Sequence, residues 1–457
     1  MIEERVQAES VVVSTWRILA ALILASSLIA LEVFKAYPTG RLGVSLVALI
    51  LALRVYSAIA TVSLARCRVT ARVEGSGVEG KPIKLVYSIC NESITPIALA
   101  ELSLQYPDYL KISRGSPGAL AILPPRGCLD YEVEFKSRVG RHTLGPLRVV
   151  YRDLFGFFRS QELKLGEQLE VRVIPRVDEK IRRAAFSASR SAGLARARLA
   201  GEGVEFYSVR EYEPGDELRR VYWRALARGR LAVKEYERET LLYVLFVIVA
   251  DNSMIHGPYL STPLEHSLRI LGSVASYLAS RGDYLALAIS TPRRNTVVGF
   301  KRGRAGLAAI LNAVASIDIQ DMRVQEDRGV VSHRLSSLER DIVVALPRDR
   351  VNVIVVSTAS MAEAVAETLG KLGLIEGVSL NFFILLPHLY GVEELSDFER
   401  AVYRVRTYQA TRDAHLVARR LRGRGFRAVV VTPWDMASKI LARLEAQRGV
   451  LGVWAKA

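Results

Sequence analysis

Cysteine is scarce: three residues in 457, Cys67, Cys90 and Cys128. That is too few for a disulfide scaffold, and their spacing matches no metal-ligand pattern. Cys90 and Cys128 remain open to pairing in a disulfide-tolerant setting, the alternative being two buried thiols. Histidine is also sparse, and His142, His256, His266, His333, His388 and His415 show no ligand spacing. There is no Gly-x-Ser-x-Gly elbow, no His-Glu-x-x-His helix and no CxxC pair, so the usual hydrolase, zinc-peptidase and dithiol chemistries lack their residues. An enzyme is not expected. Gly75–Lys81 does fit GxxxxGK, but Pro82 stands where a Ser or Thr should hold Mg²⁺, and a strand pattern follows where a helix should begin. A hairpin turn is the expectation there.

What the chain does have is apolar residues and positive charge. Half of it is hydrophobic, and 63 Lys and Arg against 47 Asp and Glu give a net charge of +16. Such an excess suits an anionic partner, either nucleic acid or a membrane face. Ile18–Phe34 and Leu42–Ala65 are long apolar runs, each near the ~20 residues that cross a bilayer. A signal peptide fits the first run poorly, because Glu3, Glu4 and Glu9 precede it and a second run follows. Arg54, in the middle of the second run, is expected to face another helix or draw in water. Arg66, Arg68, Arg72, Lys81 and Lys84 lie beyond the pair, so both ends and the bulk of the chain are expected in the cytoplasm. Lipid proximity accounts for the charge without nucleic acid.

From Arg68 to about Val177 the period changes to two: RVTARVEG, KPIKLVYSI, ALAELSLQY, DYEVEFKS, GPLRVVYR and EVRVIP, separated by short turn clusters. This predicts an all-β, immunoglobulin-like sandwich. Beyond Thr240, apolar strands alternate with helical patterns. Strands are expected at Leu241–Ala250, Tyr284–Ile289, Thr296–Phe300, Val351–Val356, Val378–Leu386 and Arg427–Val431. Helices are expected at Leu264–Ser280, Ala305–Ile317 and Ala362–Leu372, then through Leu421, and at Met436–Leu444. That alternation predicts a parallel sheet covered on both faces. The expected boundaries are a hairpin over 1–66, the sandwich over 67–177, a basic linker and charged collar over 178–240, and the α/β domain over 241–457.

Two constellations stand out. The first α/β strand ends in VADNSMIHG, which delivers Asp251 and Ser253 to the carboxyl edge of the sheet, where an Asp and a hydroxyl can point at one hard cation. Hydrogen bonding to neighbouring loops is the simpler role for the pair. The collar, VEFYSVREYEPGDELRRVYWRALARGRLAVKEYE over Val204–Glu237, mixes both charges with aromatics around a Pro-Gly-Asp turn. Arg210, Glu211, Asp216, Arg219, Arg220, Trp223, Arg224 and Arg228 are its candidate partner-binding residues, since Arg forks give an interface register. The competing role is structural, with an ion-pair network fastening one domain to the next and Tyr222 and Trp223 packed away from solvent.

The order of hairpin, sandwich, collar and an apolar strand ending in Asp-x-Ser resembles the domain of unknown function number fifty-eight family. RVGRHTLGPLRVVYRDLFGFF is similar to the stretch closing that family's sandwich, with Leu154 in place of a Pro. The resemblance implies a C-terminal domain similar to the von Willebrand factor type A fold and a membrane-tethered partner of a MoxR-type AAA+ ATPase. The ATPase would supply energy for remodelling or activating client proteins. It also implies a metal-dependent adhesion site, which this chain keeps only in part. Ile255 replaces the second Ser, no Thr occurs between Thr296 and Thr358, and Ser357-Thr358 occupies the expected acidic position. No cofactor is expected, with weak Mg²⁺ binding as the alternative. The readings left over are a membrane-surface or nucleic-acid binder using Arg182–Arg198 and Val417–Arg427, and an outward-facing adhesion module.

Overall fold

The computed structural model describes residues 12–34, 38–179, 181, 183, 200–214, 216, 219, 221–226, 229–237, 241–324, 327–390 and 396–454. The chain divides into two compact units, Met1–Val173 and Ile174–Ala457.

The first unit begins with strand β1 (Val12–Ser14), helix α1 (Trp16–Val33) and helix α2 (Gly40–Ala65). Both helices are long and apolar enough to cross a membrane. In α1 only Ala25 is buried, while Leu19, Ile23 and Val33 are exposed. A helix in a soluble core would hide such residues; a helix apolar on all sides suits lipid. Several hydroxyls within these helices are satisfied by their own helix: Ser26 Oγ donates to Ile23 O, Ser45 Oγ to Arg41 O and Thr61 Oγ1 to Ser57 O. Hydrocarbon demands that internal satisfaction. The helices pack closely at Gly43, where an added Cβ would come within 2.6 Å of Ala25 O.

Helix α2 has 26 residues, about 39 Å at 1.5 Å per residue, longer than the ~30 Å of hydrocarbon. Its last third buries Ser57, Ala60, Thr61, Ser63 and Leu64, and Tyr56 Oη donates to Pro96 O of the β-domain at 2.8 Å. Arg54, expected to face another helix or draw in water, reaches the strand before α1 and the β-domain instead. Its Nη1 donates to Val12 O at 3.1 Å, and its guanidinium lies 5.4 Å from the centroid of the Phe158 ring. Arg54 is therefore level with the start of α1, where the helical hairpin meets the β-domain.

That domain continues with β2 (Arg68–Gly75), β3 (Pro82–Cys90), β4 (Ile97–Leu104), β5 (Lys111–Arg114), β6 (Gly118–Leu123) and β7 (Cys128–Lys136). It closes with β8 (Gly140–Leu144), β9 (Leu147–Tyr151), β10 (Phe158–Ser160), β11 (Leu163–Leu165) and β12 (Leu169–Val173). Two four-stranded antiparallel sheets form, in the orders β2-β3-β7-β5 and β11-β9-β4-β6; β12 pairs with β8 and β1 with β10. Burial alternates along the strands: Tyr131, Val133 and Phe135 on β7, and Leu147, Val149 and Tyr151 on β9. Tyr87 of β3 lies against Gly145 and Gly166, turn residues of the other sheet, where a Cβ would collide with its hydroxyl at Gly145 and crowd its ring at Gly166. Gly75–Lys81 is the turn joining β2 to β3, in register Gly75 with Ile83. Cys90 and Cys128 face each other on β3 and β7 and form a disulfide, leaving Cys67 free.

In the second unit, β13 (Ala200–Glu211) and β14 (Ala232–Glu237) form an antiparallel ribbon that carries the collar. Then follow β15 (Tyr243–Val249), α3 (Pro263–Ser280), β16 (Tyr284–Ser290), β17 (Asn295–Arg302), α4 (Gly303–Ala315), α5 (Arg328–Ala345), β18 (Val351–Thr358) and α6 (Ala359–Leu369). The unit ends with β19 (Val378–Leu385), α7 (Asp397–Gly423), β20 (Arg427–Val431) and α8 (Met436–Trp454). The sheet order is β17-β16-β15-β18-β19-β20. All neighbours are parallel except β17, which runs antiparallel on the edge. The sheet is thus mixed rather than fully parallel, because β16 and β17 are joined by a short turn with no room for a crossover helix. One face buries Leu245, Val247, Val249, Val353 and Val355 with Leu335 and Leu338 of α5, Val365 and Leu369 of α6, and Ala418 and Leu421 of α7. Helix α3 starts at a capping box in which Thr262 Oγ1 and the Glu265 carboxylate satisfy each other's backbone N–H. It buries Leu264, Leu268, Leu271, Val274 and Leu278, as the spacing predicts.

Candidate functional site

The strand order reverses at β15, whose neighbours β16 and β18 lead to opposite halves of the sheet. Such a switch point opens a crevice at the carboxyl ends of the strands. Asp251 leaves β15 and Thr358 ends β18 at that place. Asp251 Oδ1 accepts from Ser253 N at 3.0 Å and Ser253 Oγ at 2.6 Å. Its Oδ2 accepts from Thr358 Oγ1 at 2.6 Å and Ser360 Oγ at 3.0 Å. Thr358 Oγ1 and Ser360 Oγ are themselves 2.8 Å apart. One carboxylate, only 7% exposed, thus ties together the ends of two adjacent strands.

Sequence reasoning found Asp251 and Ser253 but counted Thr358 only as a missing acid, and it passed over Ser360. The signal was the spacing: Asp-x-Ser after one strand and Thr-x-Ser after its neighbour, with both hydroxyls on the turn entering α6.

The residues present do not fit a tight divalent site. Mg²⁺ takes octahedral oxygens, usually with one or two carboxylates and several waters. The cluster supplies a single negative charge, and both its oxygens are already engaged by four donors. A cation would have to displace those bonds without a second carboxylate in return. Among the described residues no group of three or more His, Cys, Asp or Glu side chains could hold a metal ion.

Two histidines near this edge, His266 and His388, are held by packing and hydrogen bonds, whereas His256 is exposed. His266 Nε2 lies 2.8 Å from Pro433 O, and its ring meets Tyr390 edge-on at 5.4 Å. Burial holds its pKa below the ordinary value, partly opposed by that carbonyl. His388, 2.7 Å from Thr411 Oγ1, is lowered for the same reason.

In the collar, Arg210 Nη2 pairs with Asp216 Oδ1 at 2.5 Å, its Nη1 donates to Glu211 O at 2.9 Å, and Asp216 Oδ2 accepts from Glu213 N at 2.9 Å. Arg210 and Asp216 therefore tie the end of β13 to Glu213. Val221 is buried and bridges Val233, and Tyr222 lies under Lys234 Nζ at 5.3 Å from its ring centroid. Among the described residues, one helical turn follows, over Trp223–Leu226. Trp223 is not packed away: it is 62% exposed, with Glu211, Arg219 and Arg224 also exposed. Arg220 and Arg228 lie outside the described residues, as does most of Arg182–Arg198.

Helix α7 carries a second surface. Its buried positions, Ala414, Ala418 and Leu421, lie on the sheet side. Phe398, Val402, Val405 and Leu416 follow helical spacing about 180° away and are exposed, Phe398 and Val405 by 78% and 80%. Arg412 falls on the same stripe.

A mixed α/β sheet with a hydroxyl-bound aspartate at its switch point, preceded by a charged ribbon, is the class of domain these features define. Residues 208–373 match the family model described as "Protein of unknown function DUF58", from within the collar ribbon to the turn after α6. That agrees with the resemblance carried by the collar. No curated protein matches the chain. Among solved structures, the conserved hypothetical protein BatB from Bacteroides thetaiotaomicron aligns at 11% identity over 46% of this chain and 98% of its own, with a TM-score of 0.26. The exo-β-N-acetylglucosaminidase from Vibrio harveyi aligns at 8% identity over 67% of this chain and 59% of its own, with a TM-score of 0.16. Likenesses this weak carry no argument about fold or activity.

Proposed function

We propose that this chain is a membrane-anchored interaction and assembly factor whose α/β unit, of the von Willebrand factor type A kind, is the recognition module. The observation that carries the reading is the exposed apolar stripe of α7, on the opposite side of the helix from the residues it buries further along. Phe398, Val402 and Val405 lie on one line in the N-terminal half of a helix whose buried residues among those described, Ala414, Ala418 and Leu421, all lie in its C-terminal half. An apolar stripe with an arginine on it is a surface a partner covers. Exposed Trp223 beside Arg219 and Arg224 adds a second contact of the type enriched at interfaces. The partner implied by the family resemblance is a MoxR-type AAA+ ATPase, which would supply the energy for remodelling clients. The basic residues after α2 support a cytoplasmic placement of both units.

The test is co-purification of the full chain with that ATPase from native membranes. A complex lost in Val405→Arg and weakened in Trp223→Ala supports the reading. No complex and unchanged ATPase turnover, with both proteins folded, removes it.

The Cys90–Cys128 disulfide favours a second reading, in which both units face an oxidising compartment as an outward-facing adhesion module. Protease accessibility of the segment between the units, in intact cells against inverted vesicles, separates the two.

A further inference from the structure

The turn between β9 and β10, Asp153-Leu154-Phe155-Gly156-Phe157, is rigidly built and yet puts its apolar side chains outside. Asp153 is 3% exposed, and its carboxylate accepts from Phe155 N at 3.1 Å and Phe158 N at 2.7 Å. Gly156 N closes the turn on Asp153 O at 3.1 Å, and Gly156 takes φ +71°, a conformation that a side chain would strain. The Phe155 and Phe157 rings stack at 5.8 Å. With its backbone held in this way, the turn leaves Leu154 74% and Phe155 52% exposed. In water, a tip fixed in that shape would hold apolar surface against solvent with no contact in return.

Its position explains the arrangement. Thr15, the residue before α1, donates from N to Phe157 O at 2.9 Å and from Oγ1 to Gly156 O at 2.7 Å. Val12, Val13 and Ser14 pair with Ser160, Arg159 and Phe158. The Arg17 guanidinium lies over Gly156, and Trp16, the first residue of α1, is 75% exposed. The tip is thus fastened to the residue at which the apolar helix begins. The Arg54 contacts with Val12 O and Phe158 mark the same level on α2. Tryptophan and arginine at a helix end, beside an apolar tip, match the headgroup layer of a bilayer. We propose that this turn is a membrane contact in its own right: Leu154 and Phe155 enter the interfacial layer beside α1 and fix the β-domain against the bilayer surface. The inference rests on the membrane-spanning reading of α1 and α2 and is independent of any protein partner.

The test uses the full chain in Cys67→Ser background, reconstituted in vesicles of equal parts phosphatidylcholine and phosphatidylglycerol. A fluorescent probe is placed at Phe155→Cys, at Leu24→Cys within α1, or at Ser76→Cys in the β2–β3 turn. Spin-labelled lipids quench at headgroup depth or near the bilayer centre. Ser76 is a distal control, because β2 carries the chain roughly 25 Å from the end of α2 at ~3.3 Å per residue. The expected result is several-fold stronger quenching at 155 by the shallow label than by the deep one, the reverse at 24, and little at 76. Quenching at 24 with 155 no different from 76 overturns the proposal while leaving the helical anchor intact. No quenching at 24 removes the anchor and the proposal together. Cross-linking of 155 to 155 between copies, without lipid quenching, assigns the tip to a second copy and also overturns it.

Discussion

Replacing Asp251 by alanine removes the acceptor for four donors at once: Ser253 N, Ser253 Oγ, Thr358 Oγ1 and Ser360 Oγ. Thr358 and Ser360 can still share their 2.8 Å contact, so one of the three hydroxyls keeps an acceptor. The others, with the Ser253 N–H, must find water at the sheet edge. Hydrogen bonds to a charged group contribute about 1.5–3 kcal/mol each, but solvent reaching an edge site recovers part of that. A loss of about 2–4 kcal/mol for the α/β unit follows, which lowers its melting temperature by roughly 5–10 °C for a domain of this size. Asp251→Asn keeps one good acceptor and lets the hydroxyls turn to meet the amide, so its loss is about 1 kcal/mol. Thr358→Ala, which removes one of the four bonds to Asp251 and the contact with Ser360, also costs about 1 kcal/mol. Thermal unfolding of the purified full chain, followed by fluorescence with and without Mg²⁺, measures all three. A ranking of alanine well below asparagine, with no response to Mg²⁺, is expected. An unchanged melting temperature in Asp251→Ala refutes the hydrogen-bonded staple. A rise on adding Mg²⁺ that disappears in the variant refutes the argument against a metal.

Titration of the unfolded, non-reduced chain should find one free thiol, Cys67, and three after reduction; three without reductant would contradict the pairing of Cys90 with Cys128. Burial lowers the native pKa of His266 below its ordinary 6.5. Below about pH 6.5 the unfolded chain therefore binds a proton that the native state does not, and stability falls as pH drops, by up to about 1.4 kcal/mol per unit until the native value is reached. His266→Gln should flatten that slope in denaturant titrations between about pH 6.5 and 5, and an unaltered slope would show that His266 is not its source.

Much of this architecture is legible in the sequence because each element announces itself by periodicity. The two apolar runs, the alternating strands from Arg68, and the buried β15, β18 and β19 need only local patterns to be seen. Helix α5 was missed because Val331, Leu335, Leu338 and Ile342, its buried stripe, are diluted by Arg328, His333, Arg334 and Arg340 around it. The short strands β1, β10 and β11 have three residues each, too few to establish a period. The partners of Arg54, Val12 O and the Phe158 ring, are 42 residues before and about 100 after it, so no local pattern shows them. The partners of Asp251 lie 107 and 109 residues away. Only the sheet order, with β18 beside β15, brings them together.

The account stands on α1 and α2 being membrane spans. Alkaline carbonate extraction of membranes from cells making the full chain tests this most directly. The protein should stay with the lipid pellet and enter solution only with detergent; release into the carbonate supernatant would contradict it.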